Sequence, residues 1–187
     1  MPKIYISLGT NLGDRVQNLE RARELIMRDG FEIQQKSKIH ETEEWTSIEQ
    51  IGQRLVDSSQ SQKTTTAMYL NQCICASVNF SPVVAFEKLR AIEKEIGRDR
   101  HAEKLFKKTH NVEFAPRIID LDILLYDDWF VREGRALVNS DGTFEELIIP
   151  HPRMHLRKFV LGPLSEIAPD ILHPVLRKKI SELNRIS

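Results

Sequence analysis

The chain has 187 residues, of which 41% are hydrophobic and 29% are charged, a composition typical of a globular protein. Basic and acidic residues both number 27, so the net charge is zero. The overall charge therefore does not favour a nucleic-acid or membrane partner, although it does not exclude a local basic patch. No apolar run approaches the roughly 18 residues of a membrane span. We expect one domain over residues 1–187.

The first forty residues predict a strand, a turn, a helix and a second strand. Residues 4–8 alternate between apolar and polar side chains, as in a half-buried strand, and residues 9–14 form a tight turn. The following helix, which Gly30 ends, has one apolar face: Val16, Leu19, Ala22 and Ile26. The second strand is marked by Phe31, Ile33 and Ile39.

Residues 46–67 are polar and aperiodic, which predicts a long mobile loop, with a short helix at Ile48, Ile51 and Leu55. Met68–Phe80 alternates as a long strand, whose apolar face is formed by Leu70, Ile74, Ala76 and Val78. Ser81 and Pro82 begin a helix that ends at Gly97. Its apolar face contains Ala85, Leu89, Ile92 and Ile96.

The second half begins with residues 98–116, predicted as a long loop rich in cations, and continues with a strand at residues 117–126. Trp129–Arg132 and Ala136–Val138 predict a hairpin. A helical stretch to about Ile167 and a terminal helix at Ile180 and Leu183 complete the chain. The order predicts an α/β (α+β) fold, with a ferredoxin-like βαββαβ core, an antiparallel sheet covered by helices, and a C-terminal hairpin and helices.

Two features of the sequence indicate the cellular compartment of the protein. Residues 1–8 run directly into a strand pattern and do not resemble a signal peptide. Cys73 and Cys75 lie two residues apart on one strand face, a spacing that suits neither a disulfide nor, with two cysteines, a structural zinc site. We therefore expect two reduced, packed thiols and a cytoplasmic protein.

Asp120 and Asp122 carry the strongest chemical signal. On a strand they point to the same face, roughly 7 Å apart at about 3.3 Å per residue. The other face is filled by Ile119, Leu121, Ile123 and Leu125. A divalent cation offsets both the repulsion and the desolvation of such a pair, and Mg²⁺ commonly joins carboxylates to substrate phosphates. A solvated acidic face is the alternative that these residues leave open.

Basic residues surround this strand in the sequence: Arg98, Arg100, Lys104, Lys107, Lys108, Arg117, Arg153, Arg157 and Lys158. Flexible arginines beside an acidic pair suit a magnesium nucleotide under a closing lid, and a solvated basic surface is the alternative. His151, between two prolines, either donates to a phosphate or caps the next helix. Tyr69 and Asn71 share a strand face, where they either bind a flat heterocycle or form an ordinary surface pair.

Six segments occur in an informative order: residues 5–14, 69–71, 92–100, 115–125, 149–154 and 157–169. They include Ala-Pro-Arg-Ile-Ile-Asp-Leu-Asp-Ile-Leu-Leu and Ile-Pro-His-Pro-Arg-Met. Together they resemble the 6-hydroxymethyl-7,8-dihydropterin pyrophosphokinase family of folate synthesis over nearly the whole chain. The resemblance implies transfer of pyrophosphate from ATP to the pterin hydroxymethyl group, with release of AMP and two Mg²⁺ ions held by Asp120 and Asp122.

The same resemblance implies site residues. The catalytic residues would be Arg98, Arg100, Arg117, Asp120 and Asp122. The ATP-binding residues would be Glu93, Arg98, Arg117, Ile123, His151 and Arg157. The pterin-binding residues would be Thr42, Trp45, Tyr69, Asn71 and Phe159, with Phe159 stacking on the ring. The loops 42–68 and 98–116 would close over both substrates. We expect a monomer or weak dimer that binds small molecules and no nucleic acid.

The chain departs from the family pattern in its loops. Glu43 and Glu44 follow Thr42, where the family usually has proline, and residues 46–67 are longer than usual. Residues 113–117 read Glu-Phe-Ala-Pro-Arg instead of Arg-Trp-Gly-Pro-Arg, so a cation and a tryptophan are missing or displaced. Candidate replacements are Lys107, Lys108 and Phe114. The alternative function is a non-catalytic nucleotide- or pterin-binding protein. The zero net charge and the lack of an aromatic-rich strand argue against a nucleic-acid binder.

Overall fold

A computed structural model of the chain describes residues 1–43, 68–112, 114–131, 136–138 and 144–187. Five strands form one antiparallel sheet: β1 (Lys3–Thr10), β2 (Glu32–Lys36), β3 (His40–Thr42), β4 (Tyr69–Ser77) and β5 (Asp120–Tyr126). The strand order is β2-β4-β1-β5, and β3 also pairs with β4. A two-stranded hairpin consists of β6 (Ala136–Val138) and β7 (Phe144–Glu146).

The described helices are α1 (Arg15–Arg28), α2 (Pro82–Ile96), α3 (Arg100–His110), α4 (Lys158–Ile167) and α5 (Ile180–Ile186). A short 3₁₀ turn, Met154–Leu156, precedes α4. The connection of strands and helices and the antiparallel strand order confirm the predicted ferredoxin-like core with C-terminal helices.

Capping explains where the first two long helices begin and end. The side chain of Asp14 accepts a hydrogen bond from the backbone of Gln17 at the start of α1. Ser81 does the same for Val84 at the start of α2, where Pro82 occupies the first helical position. Gly97 ends α2 with φ +107°, a conformation that glycine adopts without strain. These boundaries agree with the sequence prediction.

Helices cover both faces of the sheet. The first face packs on α1 and α2 through a core that contains Ile4, Ile6, Leu8, Leu19, Leu25, Ile26, Ile74, Leu89, Ile92 and Leu121. The second face packs on α4 and α5 through Tyr5, Cys73, Cys75, Leu124, Leu125, Leu161, Leu164, Ile180 and Leu183. One end of this second face is left for polar residues of β1, β4 and β5.

The buried faces of one helix and one strand differ from the prediction. Val16 is exposed, and Leu25 takes its place on the buried face of α1. The register of β5 against β1 shifts so that Ile123 pairs with Ile6 but Leu125 pairs with Tyr5, which leaves Leu124 as an extra, bulged residue. Leu125 therefore lies in the second core and not beside Ile123, because a bulge reverses the alternation of side chains.

One predicted strand and one predicted pairing were also wrong. The predicted second strand is divided into β2 and β3. Between them, the backbone N–H of Ser37 donates to the carbonyl of Cys73 at 2.9 Å, and its hydroxyl accepts from the backbone N–H of Cys73 at 3.0 Å. The hairpin is formed by β6 and β7, not by Trp129–Arg132 and β6; Val131 instead bridges to Ile149.

The predicted loop at residues 98–116 contains α3, so this prediction was wrong over most of its length. Asp99 caps the helix by accepting from the backbone N–H of Ala102, and Asn111 ends it in a left-handed conformation. None of its residues is fully buried, so it lacks the core-facing stripe by which α1 and α2 were recognised. The loop and short helix predicted within residues 46–67, and Trp45, lie outside the described residues.

Cys73 and Cys75 are buried free thiols, as predicted. Among the described residues there is no helix that is both long and apolar enough to cross a membrane. The cytoplasmic location and the oligomeric state stay predictions.

Candidate active site

A cleft of about 330 Å³ opens at the polar end of the second sheet face, a volume typical of small-molecule sites. Most predicted site residues line it: Thr42, Tyr69, Asn71, Arg98, Arg100, Arg117, Asp120, Asp122, His151, Arg157 and Phe159. Ser7 and Gly9 of β1 form part of its floor. A side chain at Gly9 would meet Asn71 Oδ1 at 3.3 Å, so the glycine keeps the floor open.

Asp120 is held by two arginines. Its Oδ1 accepts from Arg98 Nη1, and its Oδ2 accepts from Arg117 Nη1 at 2.8 Å. Burial would raise the pKa of Asp120, but the guanidinium groups of Arg117, Arg98 and Arg90 outweigh it and hold the pKa well below its usual range. Asp120 is therefore a carboxylate throughout the neutral pH range.

Asp122 lies two residues further along the same face, but its charged neighbours are more distant. Arg90, His151 and Arg157 each approach one of its carboxylate oxygens to 3.8 Å, beyond hydrogen-bond distance. The carboxylate thus faces the cleft among three cationic or polar groups that do not make short bonds to it.

The backbone of His151 is attached to the bulged part of β5, and its ring lies beside Asp122. Its backbone N–H donates to the carbonyl of the bulged Leu124 at 2.9 Å. Its Nδ1 accepts from the backbone N–H of Arg153 at 3.2 Å, which places the ring proton of the neutral imidazole on Nε2, the atom nearest Asp122. Burial lowers the pKa of His151, and the opposing charge of Asp122 does not compensate.

Glu93 lies beneath the cleft and not on its surface. Its side chain is 1% exposed, and its Oε1 accepts from Arg90, Arg98 and the backbone N–H of Leu121 at 2.7–2.8 Å. Its Oε2 accepts from Arg100 at 2.6 Å. Ile123 is also buried, in the first core. In this structure neither residue lines the cleft where an ATP contact was predicted.

The opposite wall of the cleft suits a flat polar ring. The amide Nδ2 of Asn71 donates to Thr42 Oγ1 at 2.8 Å, which fixes the orientation of the amide. Tyr69 and Phe159 lie on the same lining, and Arg157 packs over the Phe159 ring at 5.7 Å from its centroid. The structure therefore brings together four of the five residues predicted to bind the pterin.

Sequence reasoning missed two supporting residues. Arg90 lines the cleft and pairs with Glu93, three residues further along α2, a helical spacing that was visible in the sequence. Asn11 was assigned only to a turn, but its side chain accepts from the backbone N–H of Arg117 at 2.7 Å, and its own N–H donates to the Arg117 carbonyl. Asn11 thereby fixes the chain just before β5.

The donor set fits magnesium bound together with a phosphate ligand. Asp120 and Asp122 supply hard oxygen atoms on one face, and the described residues contain no cluster of three or more side chains that would enclose a metal by themselves. Mg²⁺ typically takes one or two carboxylates and completes its shell with water and substrate phosphates. The surrounding arginines are suited to those phosphates.

Comparison with known proteins gives consistent matches. The sequence profile of the family described as 7,8-dihydro-6-hydroxymethylpterin-pyrophosphokinase (HPPK) matches residues 5–169. A 2-amino-4-hydroxy-6-hydroxymethyldihydropteridine pyrophosphokinase of Aquifex aeolicus is 31% identical over 182 residues, 97% of this chain and 90% of that protein. The Bacillus subtilis protein of the same name is 32% identical over 168 residues, 89% of this chain and 78% of that protein.

Other relatives are longer. The folic acid synthesis protein fol1 of Pneumocystis carinii is 33% identical over 92% of this chain, which spans 18% of that protein. The crystal structure of Plasmodium falciparum wild-type HPPK-DHPS has a TM-score of 0.64 at 15% identity, covering 99% of this chain and 44% of that one, and supports the fold. Because the profile match covers most of its length, the chain belongs to the 7,8-dihydro-6-hydroxymethylpterin-pyrophosphokinase family.

Proposed function

We propose that the chain transfers pyrophosphate from ATP to the hydroxymethyl group of 6-hydroxymethyl-7,8-dihydropterin and releases AMP. The observation that carries this proposal is the side-by-side placement of Asp120 and Asp122 in a cleft whose other wall is formed by Asn71 and Phe159. A metal-phosphate site and a site for a flat heterocycle would thus share one cavity.

We further propose that two Mg²⁺ ions bind with ATP, held by Asp120 and Asp122. When bound, such ions neutralise the phosphate oxygens and lower the barrier to in-line attack by the alcohol. Asp120 is ionised at neutral pH, so it is ready to act as a ligand, while its arginine partners would be released toward the phosphates.

The remaining cations would bind and orient the nucleotide. Arg117 and Arg157 present guanidinium groups, which bind phosphate oxygens by paired hydrogen bonds. His151 holds its proton on Nε2 at the Asp122 side of the cleft, so it would act as a neutral hydrogen-bond donor to phosphate. Positioning and charge neutralisation, rather than a strong general base, would then supply most of the rate enhancement.

Phe159 and Asn71 would place the second substrate. A pterin ring stacked on Phe159 would meet the fixed amide of Asn71 at its polar edge, with its hydroxymethyl group toward Asp120. Such a placement brings the attacking oxygen near the phosphate chain and limits the access of water, the competing nucleophile.

The test is an assay of AMP formation from ATP with and without the hydroxymethylpterin and Mg²⁺. We expect AMP only when all components are present, and a loss of at least a hundredfold in Asp120→Ala and Asp122→Ala. Asp128→Ala, an exposed carboxylate in the turn after the same strand, serves as the control and should keep full activity. AMP formation that does not depend on the pterin, or full activity of either cleft variant, would contradict the proposal.

A further inference from the structure

The helix α3 stands over the cleft and is attached to it through Arg98. The carboxylate of Glu103, in the first turn of α3, accepts from Arg98 Nε at 2.8 Å and from Nη2 at 3.1 Å. Because Arg98 also binds Glu93 and Asp120, its guanidinium joins α3 to both α2 and β5. The Arg98 side chain is 4% exposed.

This attachment changes which cations are available to a ligand. Arg98 is surrounded by three carboxylates and is almost fully enclosed, so it reaches a phosphate only after these contacts are broken. A cation without such contacts meets a phosphate without this rearrangement. The candidates on α3 are Lys104, Lys107 and Lys108.

Only one of these three lysines lines the cleft. Lys107 lies one helical turn after Glu103 and therefore on the same face of α3, and it is part of the cleft lining together with Arg117 and Asp120. Lys104 and Lys108 are exposed to solvent. Long helical side chains lean toward the N-terminal end of their helix, which directs the Lys107 ammonium toward the Arg98–Asp120 end of the cleft.

The ammonium group of Lys107 has no hydrogen bond and no ion pair within 4 Å among the residues that the structure describes, although the residue is partly buried. Burial and the charge of Arg117 lower its pKa, which is the response of an ammonium group that lacks a close counterion. A cation in this position is stabilised when an anionic ligand enters the cleft.

We propose that Lys107 of helix α3 binds the polyphosphate chain of the nucleotide. It would replace the cation that residues 113–117 lack in comparison with the family pattern. The assignment rests on the proposed function, since it names a further contact at the same site. A lysine ammonium on a flexible side chain has three donors, so it can keep its contact with a phosphate group while the charge of that group is redistributed during transfer. Lys107 would add affinity for the β- and γ-phosphates and not for the rest of the nucleotide.

The test is calorimetric titration with two probes, α,β-methylene-ATP and AMP, each with Mg²⁺, on wild type, Lys107→Met and Lys108→Met. Methionine keeps the length and the helix propensity of lysine. We expect Lys107→Met to bind the ATP analogue about tenfold more weakly, the loss typical of one charged hydrogen bond. AMP affinity should stay within about twofold, Lys108→Met should match wild type, and Lys107→Arg should recover most of the loss.

Each other outcome identifies what has failed. If wild type binds the analogue and Lys107→Met binds it equally well, the assignment of Lys107 is wrong while the proposed function stands. If Lys107→Met and Lys108→Met lose affinity to the same degree, the effect is general surface charge and the assignment is again wrong. If wild type binds no analogue, the proposed function itself fails. Thermal unfolding of each variant shows that the fold is kept.

Discussion

The carboxylate of Glu93 accepts a hydrogen bond from the backbone N–H of Leu121 at 2.8 Å, at the point of β5 between the two aspartates. A buried residue of α2 thus fixes the strand that carries Asp120 and Asp122. Because the same carboxylate also binds Arg90, Arg98 and Arg100, the arrangement of cations around the cleft depends on it.

We therefore predict that Glu93→Gln destabilises the protein by about 3–5 kcal/mol, the usual cost of removing one partner from a buried ion pair. The amide would turn an NH₂ group toward guanidinium groups that can only donate. Glu95→Gln is the matched control on the same helix, since Glu95 forms only exposed, solvent-screened ion pairs with Arg21 and Arg28 and its loss should have little effect on stability. Urea unfolding measures both, and equal losses would refute the structural role of Glu93.

The two cleft aspartates should contribute differently to the stability of the protein, although we propose that both are needed for turnover. Asp120→Asn breaks close bonds to Arg98 and Arg117, whereas the cationic partners of Asp122 are 3.8 Å away. We expect Asp120→Asn to lower the free energy of unfolding by about 1–3 kcal/mol and Asp122→Asn to lower it by less. A larger loss in Asp122→Asn would show that the ion pairs of Asp120 contribute little.

The same comparison has a pH dependence. The folded-state pKa of Asp120 lies below its unfolded value, so its ion pairs stabilise the protein above about pH 4 and lose this effect as the pH falls through the folded-state pKa. The stability difference between wild type and Asp120→Asn should therefore shrink in acid. A difference that stays constant from pH 7 to pH 2 would contradict the lowered pKa.

Phe159→Ala should weaken pterin binding by about tenfold, since base-like rings gain roughly 1–3 kcal/mol from stacking on an aromatic side chain. Binding of the ATP analogue alone should stay within about threefold. Phe130→Ala, at an exposed phenylalanine that does not line the cleft, is the control. Fluorescence titration with the pterin separates the variants, and unchanged pterin affinity in Phe159→Ala would remove this residue from the pterin site.

The buried thiol of Cys73 should make the protein less stable at alkaline pH. Burial raises the pKa of its thiol far above the value in an unfolded chain. Above about pH 8.5 the unfolded chain loses the thiol proton and the folded protein keeps it, so stability falls by about 1.4 kcal/mol per pH unit for this group. Cys73→Ala should show a shallower decline between pH 9 and pH 10 in urea unfolding. An identical slope would mean that Cys73 ionises in the folded state.

The sequence predicted the elements whose apolar residues repeat at a regular interval. The apolar faces of β4 and α2 were predicted correctly. Leu70 and Ile74 of β4 and Leu89 and Ile92 of α2 are all buried in one core. The helix α3 was missed because its apolar residues, Leu105 and Phe106, are exposed, although Asp99 and Asn111 were available as cap signals. The bulge at Leu124 leaves no trace in the run of four apolar residues at positions 123–126, so the side chain of Leu125 was assigned to the wrong face.

The site could be predicted as a set of residues but not as a network. Residue spacing placed Asp120 and Asp122 on one face, and the family resemblance supplied their neighbours. Contacts between α2, α3 and β5 enclose Arg98, so that it is not free to bind a ligand, and place Glu93 beneath the site. Such contacts between distant segments are not encoded in local periodicity.

The most direct measurement uses ATP labelled with ³²P at the β-phosphate, incubated with Mg²⁺ and 6-hydroxymethyl-7,8-dihydropterin. Transfer of pyrophosphate cleaves the bond between the α- and β-phosphates, so we expect the label on the pterin and unlabelled AMP as the second product. If the label stays in ADP, the enzyme transfers only the γ-phosphate. If it is released as free pyrophosphate, water is the acceptor. Either result would contradict the function proposed for this cleft.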